Sequence, residues 1–309
     1  MSTVGPLPSG IAHSRAAENR RGIACLVAAM VCLLLNDTLM KLLGDGLPLP
    51  QMVLVRGLFA TALIGGAMVA LGQARQLPRL ADRHVAARAA VDAVGTLLYL
   101  GALMHLPLAN ATAINLAAPL VMAVLAALFL GERVRAARWC AIALGFVGVL
   151  LVVQPQAQGF DGWALVCLGA TLCHSVRELL TRHIDRSIPS VGITLASALS
   201  VTGMAALATL TSGWQPLTLR AVALLAAAAA LLAAGYFLIV TSMRHGEMST
   251  VAPFRYSSIL VALLLGWAVW GHVPDALAWA GIALLLGTGL YLLHDERRRV
   301  RAADAAPLA

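Results

Sequence analysis

The sequence predicts an all-α integral membrane protein of ten transmembrane helices, arranged as two inverted five-helix repeats. Three observations lead there. Hydrophobic residues make up 60% of the chain and charged residues 12%, with a mean hydropathy of +0.85, whereas soluble domains carry about 25% charged residues. Arginines collect in alternate connections between apolar runs. The second half of the chain also matches the first when the two are laid over each other at a constant offset, Gly162 on Gly22.

Each apolar run is roughly 20 residues long, the length that crosses a hydrocarbon core of about 30 Å. A basic arm, residues 1–21, comes first. Its Arg20-Arg21 pair leads into a full-length span with no small-residue cleavage pattern behind it, which argues against a removable signal peptide. The first repeat, residues 22–153, holds Gly22 to Leu43, Gln51 to Leu71, Val85 to Met104, Leu108 to Leu130 and Ala136 to Val153. The second, residues 154–293, holds Trp163 to His183, Val191 to Leu210, Leu219 to Ser242, Thr250 to Trp270 and Ala276 to Leu293. Residues 294–309 form a polar tail.

Direction follows from arginine. Arg15, Arg20 and Arg21 precede the first span, and GDGLPLP after it has no Arg or Lys. Arg75, Arg79 and Arg83 follow, then the uncharged turn at Leu106-Pro107. Next come Arg133, Arg135 and Arg138 against PQAQG, and Arg182 and Arg186 against TSGWQPL, which has only Arg220 at its edge. Arg244 is set against GHVPDA, and the tail carries Arg297, Arg298, Arg299 and Arg301. The positive-inside rule then puts both termini in the cytoplasm of a multi-pass inner-membrane protein. The formal net charge of +8 is accounted for by loops facing anionic lipid, so no nucleic-acid partner is expected. The five cysteines lie inside apolar runs without disulfide or metal-ligand spacing, and no metal or cofactor is expected.

At the same offset Leu39 falls on Leu179, Gly131 on Gly271, Trp139 on Trp279, and Ile142-Ala143-Leu144 on Ile282-Ala283-Leu284. Arg133, Arg135 and Arg138 become Val273, Asp275 and Ala278. Five is an odd number, so the second copy enters the membrane upside down and its equivalent loop lies outside, where arginines are not wanted. Inverted repeats characterise secondary transporters, with the substrate near the midplane between the copies.

The stretches FLGERVRAARWCAIALGFVGVLLV (Phe129 to Val152) and VAPFRYSSILVALLLGWAVWGHVPDALAWAGIALLLGTGLYLL (Val251 to Leu293) resemble the two EamA repeats of the drug/metabolite transporter superfamily. NDTLMKLLG with Val55-Arg56-Gly57 is similar to that family's first two spans. The resemblance implies ten helices, cytoplasmic termini, a central cavity and alternating access. It also implies a small-molecule cargo such as an amino acid, nucleotide, drug, S-adenosylmethionine or opine-type metallophore. His272 stands where the second repeat commonly has a glutamate.

A charge at the bilayer centre costs about 2.5–3.5 kcal/mol on insertion scales, so charged residues within spans face the protein interior. Depth sorts them into two layers. Asp37 and Lys41, Arg56, and Asn115 fall in the outer third. Asp92, Arg177, Glu178, Arg255 and Tyr256 fall in the inner third, with His174 nearer the middle. These ten residues are the candidate substrate-binding or gating set. Four cations against three carboxylates suit a zwitterionic substrate bearing carboxylate. Alternatives stay open for several of them: Lys41 as a cation snorkelling to the interface, Asp92 as a partner of Arg88, and His174 as a packed helix residue or a proton carrier. Pro119 and Pro253 bend the fourth and ninth spans or merely make them irregular. Small residues at Ala141, Gly145 and Gly148, and at Gly281, Gly287 and Gly289, offer close helix approach.

An enzyme is not expected. There is no G-x-S-x-G, H-E-x-x-H or P-loop, and His174-Ser175 point about 100° apart on a helix. The resemblance, taken with the excess of cations, implies export of an amino-acid-derived metabolite, with an opine-type metallophore such as pseudopaline as candidate and S-adenosylmethionine uptake as the alternative. Proton coupling and a homodimer are open partners of that reading.

Overall fold

A computed structural model describes residues 9–129, 136–154, 162–181, 183–185, 187–245 and 248–304. Among them the chain is helical and has no strand. Arg133, Arg135, Arg182 and Arg186, the PQAQG turn and the first and last residues lie outside the described residues.

Helix α1 (Ser9–Leu43) begins well before the apolar run, because Ala, Glu and Arg in AHSRAAENRR are good helix formers that continue the helix past the lipid. The same holds at the other end, where α12 (Ala276–Asp304) carries on through HDERRRVRAAD. Between them run α2 (Leu49–Ala70), a 3₁₀ segment (Ala74–Ala81), α3 (Arg83–His105), α4 (Leu108–Asn115), α5 (Ala118–Phe129) and α6 (Ala136–Val153). The second half holds α7 (Trp163–Thr181), α8 (Ser190–Ser212), α9 (Leu219–His245), α10 (Met248–Val251), a 3₁₀ segment (Ala252–Tyr256) and α11 (Ser257–Trp270). Prolines open α2, α4 and α8 from positions where no helix N–H is missed. Asp82 caps α3 by accepting from the N–H groups of His84 and Val85.

Nine helical segments among the described residues are long and apolar enough to cross a membrane. The expected fifth span, Ala136 to Val153, coincides with α6, whose apolar stretch among the described residues runs from Trp139 to Val153. Among the described residues, nine full-length spans are thus accompanied by one shorter apolar helix.

The helices pair across the two halves. α1 packs on α9 and α3 on α7, α2 on α8, α4 on α11, and α6 on α12. Under the repeat offset, the α1–α9 contact is the image of α7–α3, and the α2–α8 and α6–α12 pairings are their own images. The match extends to single residues. A Cβ on Gly95 of α3 would come within 2.9 Å of Cys173 on α7, and a Cβ on Gly235 of α9 within 2.9 Å of Leu33 on α1. Gly235 is the repeat image of Gly95, and Cys173 is that of Leu33. Both crossings need a residue with no side chain. Gly148 and Gly281 likewise face each other where α6 crosses α12, whereas Gly287 meets nothing within 4 Å.

The fourth and ninth spans are broken at matching points. α4 ends at Asn115 and α5 restarts at Ala118, while the 3₁₀ segment ends at Tyr256 and α11 starts at Ser257. Pro119 and Pro253 each remove a backbone donor at these breaks. A further contact joins the halves at one end of the bundle. The Gln51 amide donates to the Gln215 carbonyl at 2.7 Å and accepts from the Gln215 N–H at 2.9 Å.

Candidate functional site

Hydroxyls inside the spans are quenched locally. Thr38, Thr112, Thr171, Ser175 and Thr202 each donate to the carbonyl four residues back, which satisfies them without a partner helix. Charged and amide side chains cannot do this, and they converge from several helices instead.

The first cluster lies towards the end of the bundle where α1 finishes and α2 begins. Asn36 donates to Asp37 at 2.9 Å and accepts from Arg56 Nη1 at 3.1 Å, and the Tyr99 hydroxyl of α3 donates to Asp37 at 3.0 Å. Asn36 is 2% exposed and Arg56 4%; Asp37 keeps partial exposure. Arg56 Nε is buried without a hydrogen-bond partner among the described residues. Asp37, Arg56 and their amide bridge are thus brought together as expected.

Lys41 is not brought to them. Its ammonium donates to the carbonyls of Leu103 at 2.6 Å, Met104 at 3.2 Å and Leu106 at 2.8 Å, and sits 5.8 Å from the centroid of the Trp270 ring. The end of α3 leaves carbonyls without helical partners, and a cation one turn above Asp37 reaches them more readily than it reaches the carboxylate. The Lys41 ammonium is thus placed on the end of α3 and not against Asp37.

The second cluster lies deeper along α7. Arg177 donates from Nη1 to Asp92 of α3 at 2.7 Å and from Nη2 to Glu178 at 2.7 Å. Asp92 pairs across helices and not with Arg88, which instead donates to Thr181 at 2.9 Å and Ser197 at 2.7 Å and so ties α3 to α7 and α8. The Asp92 side chain is 7% exposed, that of Arg177 19% and that of Glu178 45%. Arg255 is exposed at the break before α11, within electrostatic reach of Glu178. Tyr256 is buried against Gly289 of α12, its hydroxyl without a hydrogen-bond partner among the described residues.

The clusters are not two separate layers. His174 shares a hydrogen bond with Asn115 at 3.1 Å, and its ring lies 6.1 Å from that of Tyr99. Asn115 therefore belongs with His174 at the α4–α5 break. Tyr236 of α9 is within electrostatic reach of Arg56, Arg88, Arg177 and Asp92. A continuous polar column results, enclosed around Arg56 and open around Glu178. Tyr99 and Tyr236 escaped the sequence reading, and Arg88 entered it only as a partner for Asp92. Their only signal was a polar tip within an apolar run, and nothing in the sequence said which neighbour that tip meets.

His272 lies in the turn after Gly271, whose φ of +68° is left-handed. With Asn110, Gln154 and Asp275 it lines a recess of about 400 Å³ at the end of the bundle away from Glu178. Among the described residues no group of three or more His, Cys, Asp and Glu could hold a metal ion.

Comparison with known proteins fits this geometry. The profile of the EamA-like transporter family matches residues 20–154 and again 161–293. A riboflavin transporter of Rhizobium johnstonii is 29% identical over 75% of this chain and 76% of its own length. The pseudopaline exporter CntI of Pseudomonas aeruginosa is 28% identical over 90% of this chain and 98% of its own. An S-adenosylmethionine uptake transporter of Rickettsia bellii is 22% identical over 90% and 94%. One chain of known crystal structure superposes with a TM-score of 0.61 over 89% of this chain and 96% of its own at 19% identity, a likeness of fold.

Proposed function

The chain belongs to the EamA-like transporter family, and from that premise we propose that it exports a small zwitterionic, amino-acid-derived metabolite across the inner membrane by alternating access. An opine-type metallophore such as pseudopaline is the candidate cargo. The observation that carries the reading is the polar column. Arg56, Arg88 and Arg177 stand with Asp37, Asp92 and Glu178 inside an apolar bundle, where charge is costly unless it serves a wet pathway. Both signs along one path suit a substrate that carries both.

In this reading residues 22–153 and 154–293 are the inverted repeats, both termini are cytoplasmic, and the cytoplasmic tail begins at residue 294. Repeat-related breaks beside Asn115 and Arg255 supply the discontinuous helices that transporters use at their binding sites. Enclosure at Arg56 with exposure at Glu178 is then an inward-facing state. Export is supported by the near full-length match to a protein named as an exporter. Uptake of S-adenosylmethionine is the alternative, supported by a relative of comparable coverage. Coupling to protons and assembly as a homodimer complete the proposal.

The test is flux in proteoliposomes of purified protein, with pseudopaline, S-adenosylmethionine and riboflavin as probes. Metabolite profiles of a deletion strain and its parent, with and without metal starvation, accompany it. Pseudopaline flux, with a compound retained in the deletion strain and missing from its medium, is the expected result. Loss of a compound from the cell interior with an unchanged medium overturns export.

A further inference from the structure

Resting on the transport reading above, we infer that Asp37 is the group at which a proton and the ammonium end of the substrate compete. Three interior carboxylates line the column, and they are not held alike. Asp92 and Glu178 each accept a 2.7 Å bond from the Arg177 guanidinium. Among the described residues Asp37 accepts only from neutral donors, Asn36 Nδ2 on one oxygen and the Tyr99 hydroxyl on the other. The nearest guanidinium, that of Arg56, donates to Asn36 and reaches Asp37 only through that amide and through space. A carboxylate offers about four lone-pair positions, so Asp37 has acceptor capacity left over.

The exposure pattern points the same way. Asn36, Thr38 and Arg56 are nearly sealed, while Asp37 between them stays partly open. Its hydrogen-bond partners come from α1 itself and from α3, and the bridged Arg56 from α2, so the carboxylate lies where three helices meet. The other titratable or charged groups around it are accounted for. Tyr99 of α3 holds it, and Cys167 of α7 faces Tyr99. Tyr236 of α9 faces Arg56, Lys41 is committed to the α3 carbonyls, and Arg255 beside α11 lies towards Glu178. His174, open from sequence to a packing or a proton-carrying role, shares its Nδ1 with Asn115, and Asp92 and Glu178 are held by Arg177. The exchangeable position passes to Asp37.

The exchange balances. When the ammonium docks, its N–H donates to an Asp37 oxygen, and the proton formerly on that oxygen leaves to the cytoplasmic side. When the ammonium departs on the far side, a proton from there replaces it. The site carries the same charge with either occupant, so neither needs to be buried as an uncompensated ion. No covalent bond of the substrate changes.

Infrared difference titration of the purified protein in nanodiscs tests this. The expected result is a protonated-carboxyl band that grows on acidification, is absent in Asp37→Asn and persists in Asp92→Asn. S-adenosylmethionine, whose α-ammonium serves as the probe, moves the band's midpoint by about one pH unit at roughly ten times its Kd, whereas riboflavin, with no ammonium, leaves it in place. A band that survives in Asp37→Asn, or one that S-adenosylmethionine leaves unmoved, overturns the inference. Absence of proteoliposome flux for pseudopaline, S-adenosylmethionine and riboflavin alike overturns the transport reading instead, and the titration distinguishes the two failures because it needs no flux.

Discussion

Arg177 divides one guanidinium between two carboxylates, and that arrangement sets what its loss does. Arg177→Ala leaves Asp92 with only minor exposure and no cation bonded to it, a situation that costs about 3 kcal/mol when a buried pair is broken from one side. The expected outcome is a lower thermal midpoint together with loss of flux. Arg177→Ala combined with Asp92→Ala recovers much of the midpoint without restoring flux, as paired melting and proteoliposome measurements will read. Lys41 behaves differently. Lys41→Met removes the cap on α3 and costs about 1–3 kcal/mol through unsatisfied carbonyls, yet leaves the apparent substrate affinity unchanged; a changed KM returns Lys41 to the substrate path. Sequence alone located Asp37, Asp92, Arg177 and Glu178, because a charge in an apolar run is conspicuous. It did not reveal that Lys41 turns to carbonyls or that Tyr99 grips Asp37, since those choices depend on helix rotation and distance across the bundle.

At the level of the helix, the breaks at Asn115 and Tyr256 place polar groups at half-helix ends, and the second break leans on α12. A Cβ on Gly289 would overlap the Tyr256 hydroxyl and ring. Gly289→Ala therefore pushes the 3₁₀ segment away and destabilises by about 1–3 kcal/mol, the usual cost of overpacking. Adding Tyr256→Leu, which shortens the intruding side chain, recovers most of that loss in a melting experiment. No recovery would mean that the two residues do not share the strain. Proline positions made bending of these spans legible in advance. The repeat-related register of the two breaks was not legible, because Pro119 and Pro253 are not themselves images of each other at the repeat offset; only the helix ends are.

For the whole molecule, the offset read from paired glycines and tryptophans reappears as the pairing of α1 with α9 and of α3 with α7, so the bundle's architecture was largely written in the sequence. Its orientation is testable. With the natural cysteines replaced, Gln215→Cys and His272→Cys are expected to react with an impermeant maleimide in whole cells. Arg79→Cys and Ser187→Cys are expected to react only after permeabilisation. The reverse pattern refutes cytoplasmic termini, and one face for all four refutes the inverted repeat. The clamp between Gln51 and Gln215 has an evolutionary consequence. Gln51 reads only the main chain at position 215, both its carbonyl and its N–H. Position 215 is therefore free to drift to any residue that keeps an N–H, with proline alone barred, while position 51 must retain an amide of that reach. Two glutamines that look like an equivalent pair are under unequal selection, and divergence between copies of this chain should accumulate on one side of the contact only.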